Sequence, residues 1–322
     1  MSEVKKENGI ILISVLWVII VLSLLTLGLA RMSSGAMALT QQSIGKLKAY
    51  AAARSGINYT VDLLARTRAP NETLYQTGIA LNGKAAQDVF KEFDLGNNAF
   101  FSIEYRAFGF TNDGKAITAY GIQDEERLLN LNALDTNNIS VLASLIQQFG
   151  QGESAAKEIA QAVLNWKINI KKKPFDRIEE VLLIDGITQE LFDRIKHYVT
   201  VFPKEGGFKL NVVTAPRPLL QALVDWIDKS DGVVDQLVRR RDGPDGVPFT
   251  SDDSIALDQS DFVSEETGFK MIENLSSGPQ SRFFKIRAVG VDRATQARCI
   301  IEAVVDTQVS EGLPNIVAWQ RD

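Results

Sequence analysis

One stretch constrains this chain more than any other: from Ile10 to Ala30 it reads IILISVLWVIIVLSLLTLGLA, 21 residues without a charged side chain. Coiled as a helix the run is about 31 Å long, close to the thickness of a bilayer's hydrocarbon core. In lipid a helix is what such a segment must form, because its backbone N–H and C=O groups have to find partners within the segment itself. The leader MSEVKKENG sets an amine and two lysines against two glutamates, and Arg31 follows the run. The charge difference across it is therefore small and does not fix orientation. Three arrangements fit these residues. The run can be a plain signal anchor for a soluble domain. It can be a secretory signal cut after the small-x-small triplet Ala36-Met37-Ala38, although it exceeds the usual apolar length of about 7 to 15 residues. Or Gly9 can be the boundary, where a short polar leader meets an apolar run that continues past the membrane without a helix breaker.

Helix-compatible sequence does continue, with Ile44, Leu47, Ala51, Ile57, Val61, Leu64 and Ala65 at helical spacing up to Pro70. Beyond Pro70 the period changes to two. Phe101, Ile103, Tyr105 and Ala107 alternate with polar residues, and Asn112-Asp113-Gly114 offers a tight turn into Lys115 to Ile122. Far away, Phe284, Ile286, Ala288 and Gly290 alternate, and after Asp292 to Thr295 so do Ala297, Cys299, Ile301, Ala303 and Val305. Two hairpins of this kind make one antiparallel sheet packed on the N-terminal helix, with Cys299 a buried apolar side chain rather than a nucleophile. About 155 residues of helical spacing lie between the hairpins, too many for a loop and enough for a domain of their own. The expected class is thus α+β. The expected divisions are a leader over 1–9, a membrane helix over 10–30, its continuation over 31–69, sheet over 70–125, an inserted helical domain over 126–280, and the rest of the sheet with a tail over 281–322.

The insertion holds a faint repeat. Leu131-Asn132 leads to Val141-Leu142-Ala143-Ser144-Leu145, and Leu210-Asn211 leads to Leu219-Leu220-Gln221-Ala222-Leu223, each an Asn-containing turn entering a helix. It also holds PFDRIEEVLLIDGITQELFDRI, from Pro174, which has the look of a helix-hairpin-helix whose turn amides can hold a DNA phosphate. Thr188 stands where the DNA-binding form has a second glycine, and the whole chain is acidic, with 35 Lys and Arg against 40 Asp and Glu. A structural hairpin and a solvated Lys171-Lys172-Lys173 run are favoured over nucleic-acid binding. The single histidine, His197, and the single cysteine remove intramolecular disulfides, Cys/His zinc sites and CxxC redox chemistry, and no nucleophile-base pair or phosphate loop is present. His197 reads as a structural residue, as do Trp166 and Trp226 at helix contacts.

The junction at Gly9 resembles the class III leader of type IV pilins and pseudopilins. Asn130-Leu131-Asn132, Leu210-Asn211-Val212-Val213-Thr214-Ala215-Pro216 and the Pro174 to Val181 run, in this order around a large helical insertion, resemble the general secretion pathway protein K family, the K-type minor pseudopilins of type II secretion. The likeness extends over nearly the whole chain. It implies cutting by prepilin peptidase between Gly9 and Ile10 with methylation of the new N-terminus. It also implies a single-pass inner-membrane protein with a cytoplasmic N-terminus and a periplasmic head, which assembles with other minor pseudopilins and the major pseudopilin. No enzymatic activity is implied. In the wider family the fifth residue after the cut is a glutamate that neutralises a neighbour's amine; here it is Ser14. The resemblance reads that absence as a place at the filament tip, where the subunit initiates and caps the pseudopilus. The runner-up is a membrane-anchored helix-hairpin-helix DNA-binding protein of an uptake system.

Carboxylates crowd Asp225 to Glu266, and within RRRDGPDGVPFTSDD the residues Asp242, Asp245, Asp252 and Asp253 surround two glycines and two prolines. Calcium takes six to eight oxygens in irregular geometry, so the loop suits it; equally, these aspartates can pair with Arg239, Arg240 and Arg241. The family resemblance, which implies calcium in the inserted domain, tilts the choice towards the metal. The acidic cluster that relatives often carry after the tryptophan in the first half of the insertion is missing, as Trp166 is followed by Lys167, Ile168 and Asn169.

Overall fold

The computed structural model describes residues 4–66, 86–108, 115–212, 214–227, 232–244, 246, 281–308 and 313–321. Helix α1, Val4–Arg66, is 63 residues of unbroken helix, about 95 Å long. Its hydroxyl side chains are satisfied locally: Ser23 donates to the Ile19 carbonyl at 2.8 Å and Thr26 to that of Leu22 at 2.9 Å, which makes both tolerable in lipid. From Ile11 to Leu29 its large apolar side chains are all exposed. Burial begins at Gly45, where the helix meets the sheet.

Apolar spacing nominates only part of what α1 buries: Ile57, Val61 and Leu64 are covered as expected, but the rest of that set is not. Ile44, Leu47 and Ala51 are exposed, whereas Gly45, Ala49, Ala52, Ala53, Gly56, Ile57, Thr60, Val61 and Leu64 face the sheet. The reason is close approach. A Cβ on Gly290 would stand 2.1 Å from the Ala49 carbonyl oxygen and 2.3 Å from the Ala53 nitrogen, so backbone lies almost on backbone there. At Gly56 the approach is less extreme but still tight, a Cβ there standing 2.9 Å from the Phe101 ring and 3.1 Å from the Ile103 side chain.

After a short helix α2, Ala86–Phe90, the chain forms β1, Phe93–Gly96, β2, Ala99–Ala107, β3, Ile117–Tyr120, and β4, Gln123–Asp124. Near the C-terminus come β7, Phe283–Asp292, β8, Ala297–Asp306, and β9, Asn315–Arg321. The main path runs β1-β2-β7-β8-β9, antiparallel throughout, with β3 beside β2 and β4 beside β7. Both hairpins expected from alternation are present, and Cys299 is buried in β8. The Asn112 to Gly114 turn lies outside the described residues. One sheet face, with Phe101, Ile103, Phe284, Ile286, Ala288, Cys299, Ile301, Ala303 and Val305, packs on α1. The other carries a charge ladder: Arg298 and Arg287 flank Glu104 at 3.2 and 3.4 Å, and Glu302 lies 3.3 Å from Arg287 and 2.8 Å from Lys285.

Strands β2 and β4 share one edge of β7, β2 along Ala288 to Asp292 and β4 along Phe284 and Lys285. Here the chain departs into the inserted domain and returns. That domain contains β5, Leu129–Asn130, paired in parallel with β6, Val199–Thr200, and helices α3, Ile139–Gln148, α4, Glu153–Asn165, α5, Gln189–Ile195, α6, Arg217–Ile227, and α7, Val233–Arg241. Their apolar faces enclose a core of their own, with Leu142, Leu145, Val163, Phe175, Leu191, Leu219 and Leu223 fully buried. Since Thr295 touches α1 at Gly45 and Ile103 touches it at Gly56, the sheet climbs along α1, away from the membrane segment. The departure point at β4 sits about six residues, roughly 20 Å, beyond the Gly290 contact, so the insert hangs from the end of the sheet away from the exposed apolar run.

Candidate functional site

The exposed apolar part of α1 forms the first region of interest. The backbones of Gly9 and Ile10 lie within α1, and Ser14 is exposed on it. The apolar window is long and hydrophobic enough to cross a bilayer, with mean hydropathy 2.8 and none of it buried.

The second region, the joint between sheet and insert, is one that sequence reasoning missed. Asp124, at the end of β4, is fully buried, and its Oδ2 accepts hydrogen bonds from Asn211 Nδ2 at 2.9 Å, Thr214 Oγ1 at 2.8 Å and Ser281 Oγ at 2.7 Å. Its Oδ1 accepts from the Glu126 amide at 2.9 Å. One carboxylate thus binds the strand leaving the sheet, the middle of the insert and the segment returning to β7. Burial pushes Asp124 up to about 6, although the hydroxyls of Ser281 and Thr214 favour its charged form. Next to it Glu125 is also buried, accepts a bond from Thr200 Oγ1, and is raised by burial against the pull of Lys285. Burial depresses Lys285, but Glu302 and Glu125 more than reverse this and leave it raised. Arg282 closes the rim with a two-pronged pair to Asp306, both contacts 2.5 Å. Arg127 lies over the Tyr105 ring at 5.2 Å, and His197 stacks on Phe108 with centroids 3.7 Å apart. Burial, helped by Lys196 and Arg106, pushes His197 down to about 4.

The Asn-containing stretches act as staples. Asn132 Nδ2 donates to the Phe175 and Val201 carbonyls at 3.0 and 2.8 Å while its Oδ1 accepts from the Phe175 amide at 2.7 Å. The Asn211 amide donates to the Glu126 carbonyl at 2.7 Å, and its side chain carries the joint. A polar asparagine directly after a leucine, inside an otherwise apolar stretch, was the signal available for both: Leu131-Asn132-Ala133 and Leu210-Asn211-Val212. In the hairpin region the first limb, Ile178–Leu183, is a 3-10 turn, Gly186 adopts φ +90°, and Thr188 Oγ1 caps the second limb by accepting from Leu191 N at 3.2 Å. Trp166 and Trp226 pack against the helical core, Trp226 Nε1 donating to the Asn137 carbonyl at 3.1 Å.

The third region is acidic. Asp242 is buried beside Arg241, whose Nε donates to its Oδ1 at 2.7 Å, and whose Nη1 reaches the Ala215 carbonyl at 2.7 Å. One of its carboxylate oxygens thus already has a cation. Asp245, Asp252 and Asp253 lie outside the described residues. Among the described residues no three His, Cys, Asp or Glu side chains converge as a metal site would require.

A long apolar N-terminal helix on an antiparallel sheet, with a helical domain set into that sheet, is a pseudopilin-like fold. The chain is similar to a chain of the GspK-GspI-GspJ complex from the type 2 secretion system of enterotoxigenic Escherichia coli, with a TM-score of 0.59 and 14% identity, over 89% of this chain and 99% of that one. At such identity the likeness is one of fold. No family model matches the chain, and no curated protein matches it in sequence.

Proposed function

We propose that this chain is a K-type minor pseudopilin of a type II secretion system. Prepilin peptidase cuts between Gly9 and Ile10, and the new N-terminus is methylated. Helix α1 holds the protein in the inner membrane, N-terminus on the cytoplasmic side and head in the periplasm. There it joins other minor pseudopilins, initiates the pseudopilus and caps it while the major pseudopilin polymerises below. Its role is structural.

The observation that carries this reading is the helical domain at the membrane-distal end of a helix-and-sheet frame. In a shaft the next subunit's head would need that space; at the end of a filament nothing claims it. Ser14 agrees, because a subunit without a carboxylate there has nothing to offer the amine of a neighbour above. The similar structure is itself a complex of three such proteins, which supports companion subunits as partners. Calcium in the acidic region is part of the proposal. With Asp242 engaged by Arg241, Asp245, Asp252 and Asp253 would furnish most of its ligands, and the bound ion would neutralise their repulsion.

Purification of the full chain from membranes, with mass spectrometry of its N-terminus and of whatever accompanies it, tests the reading. A start at Ile10 and companion minor pseudopilins are expected. An intact Met1 or a start at Leu39 would overturn the processing step, and DNA-uptake proteins as companions would overturn the assignment.

A further inference from the structure

After α4 the chain makes a single wide π-helical turn, Trp166–Lys171, of the kind that often marks a functional site. Its base is pinned on both sides. Lys167 is half-buried, its Nζ donating to the Asn132 carbonyl at 3.0 Å and to that of Leu134. At the other side Lys171 Nζ reaches Glu180 at 2.5 Å and Asp176 at 3.2 Å, while Lys204 holds Asp176 from beyond at 2.5 Å. Between and after these anchors everything points outward. Ile168 is 53% exposed and Ile170 57%, and Lys172 and Lys173, also exposed, have no ion-pair partner among the described residues. Lys172 takes φ +55°, turning the chain back towards the buried Phe175. The segment 166–174 contains no carboxylate. Two lysines are thus spent holding a rigid turn that displays two isoleucines and two free lysines to solvent.

We propose that this turn is a docking tip for an anionic lipid surface. Two aliphatic side chains are far too little for a protein interface, which needs about 800 Å² per partner and aromatic or arginine anchors. They suit shallow, reversible interfacial insertion in which the flanking Lys172 and Lys173 supply the second, electrostatic contribution, about 1 kcal/mol each. A nucleic acid would use the lysines but leave the isoleucines in water, and the chain's net charge of -5 opposes it. The place of the insert bears on which bilayer this is. From Ala30 to the Gly290 contact α1 covers about 32 Å, and the sheet adds roughly 20 Å before the insert begins. The insert that carries the turn therefore begins about 50 Å along from the membrane holding α1, and the target we assign to it is a second bilayer facing the first. This rests on α1 spanning a membrane and not on the pseudopilin assignment.

The test places the full chain, anchored through α1, in nanodiscs of phosphatidylcholine, and adds vesicles of phosphatidylethanolamine and phosphatidylglycerol. The discs are expected to float with these vesicles and not with vesicles of phosphatidylcholine alone. Paired Ile168→Ser and Ile170→Ser changes should lower recovery roughly tenfold or more, and Lys172→Ser or Lys173→Ser about fivefold each, with the loss masked at high salt. All four side chains are exposed, so melting temperatures should stay at the wild-type value. A fluorophore on Asn169→Cys, with Cys299 buried, should shift to the blue on the anionic vesicles. Equal recovery of wild type and variants, equal binding to neutral vesicles, or capture of an acidic protein or DNA in place of the vesicles would overturn the proposal.

Discussion

Asp124 and Asn211 are 87 positions apart in sequence and 2.9 Å apart at the joint. Because three donors share one carboxylate oxygen, removing one donor and adding a charge should have distinct consequences. Asn211→Leu leaves a buried carboxylate short of a partner and should cost about 1–3 kcal/mol. Asn211→Asp sets a second carboxylate against the first and should cost about 3–5 kcal/mol at neutral pH, recovering in acid as the pair comes to share a proton. Urea denaturation at the two pH values separates them. Two groups near this joint titrate in opposite senses. Asp124, raised to about 6, contributes stability that is full below its free-chain value near 3.8 and lost as pH rises through about 6. His197, lowered to about 4, contributes stability that is full above its ordinary 6.5 and lost as pH falls towards 4. His197→Phe keeps a ring against Phe108 and removes one of the two. The variant's stability relative to wild type should then rise as pH is lowered from neutral towards about 4, which denaturation midpoints across that range would show.

At the scale of elements, the contact of α1 with the sheet depends on small residues. Gly290→Ala puts a methyl 2.1 Å from a carbonyl oxygen of α1 and must push helix and sheet apart; a loss of about 1–3 kcal/mol or more is expected. Gly45→Ala meets the Thr295 side chain, whose Cβ and Cγ2 would lie 2.8 and 2.9 Å away, so the exposed turn between β7 and β8 must give way and the Thr295–Asp292 hydrogen bond is lost, at about 0.5–1.5 kcal/mol for that bond. Thermal unfolding of the two variants should rank them in that order, and Gly45→Ala as the more damaging change would contradict the close packing. Apolar periodicity pointed instead to Ile44 and Leu47, because hydrophobicity favours bulk whereas a helix lying against strand backbone needs the absence of it. The outer strand β9 also escaped sequence reading: Ile316, Val317 and Trp319 are all substantially exposed, so no alternation between a buried and a solvated face marks it.

For the whole molecule, the insert and the frame are separable in principle. Asp124 pairs with Phe284 across the ladder, so the ends of the excised segment are neighbouring strands about 5 Å apart. Replacing residues 127–281 with a short turn, together with Asp124→Ser to remove the carboxylate that loses its partners, should leave helix and sheet folded. If bulk confines the protein to the filament end, the trimmed chain should enter the shaft, which immunolabelling along pseudopili would reveal; exclusion of a folded trimmed chain would count against the tip proposal. Calcium belongs at this scale too. Binding to the folded state alone should raise stability by about 2.7 kcal/mol at a hundredfold excess over the dissociation constant. Melting with calcium and with chelator, using Asp252→Asn and Asp253→Asn as controls, checks it, and an unchanged midpoint would return the region to an acidic loop paired with arginines.

By itself the sequence determined the parts whose physics is local. An uncharged run of bilayer length can only be a helix in lipid, alternation over Phe101 to Ala107 and Phe284 to Val305 can only serve a half-buried strand, and helical spacing between them declared a domain set into the sheet. The tertiary structure decided what depends on residues far apart: which stripe of α1 is covered, that Asp124 joins three segments, that Arg241 occupies Asp242, and that Lys167 turns inward so that Ile168 and Ile170 face out. Polar residues give no periodic signal, and whether one is a solvated surface group or a buried staple is settled only when the chain brings its partner to within 3 Å.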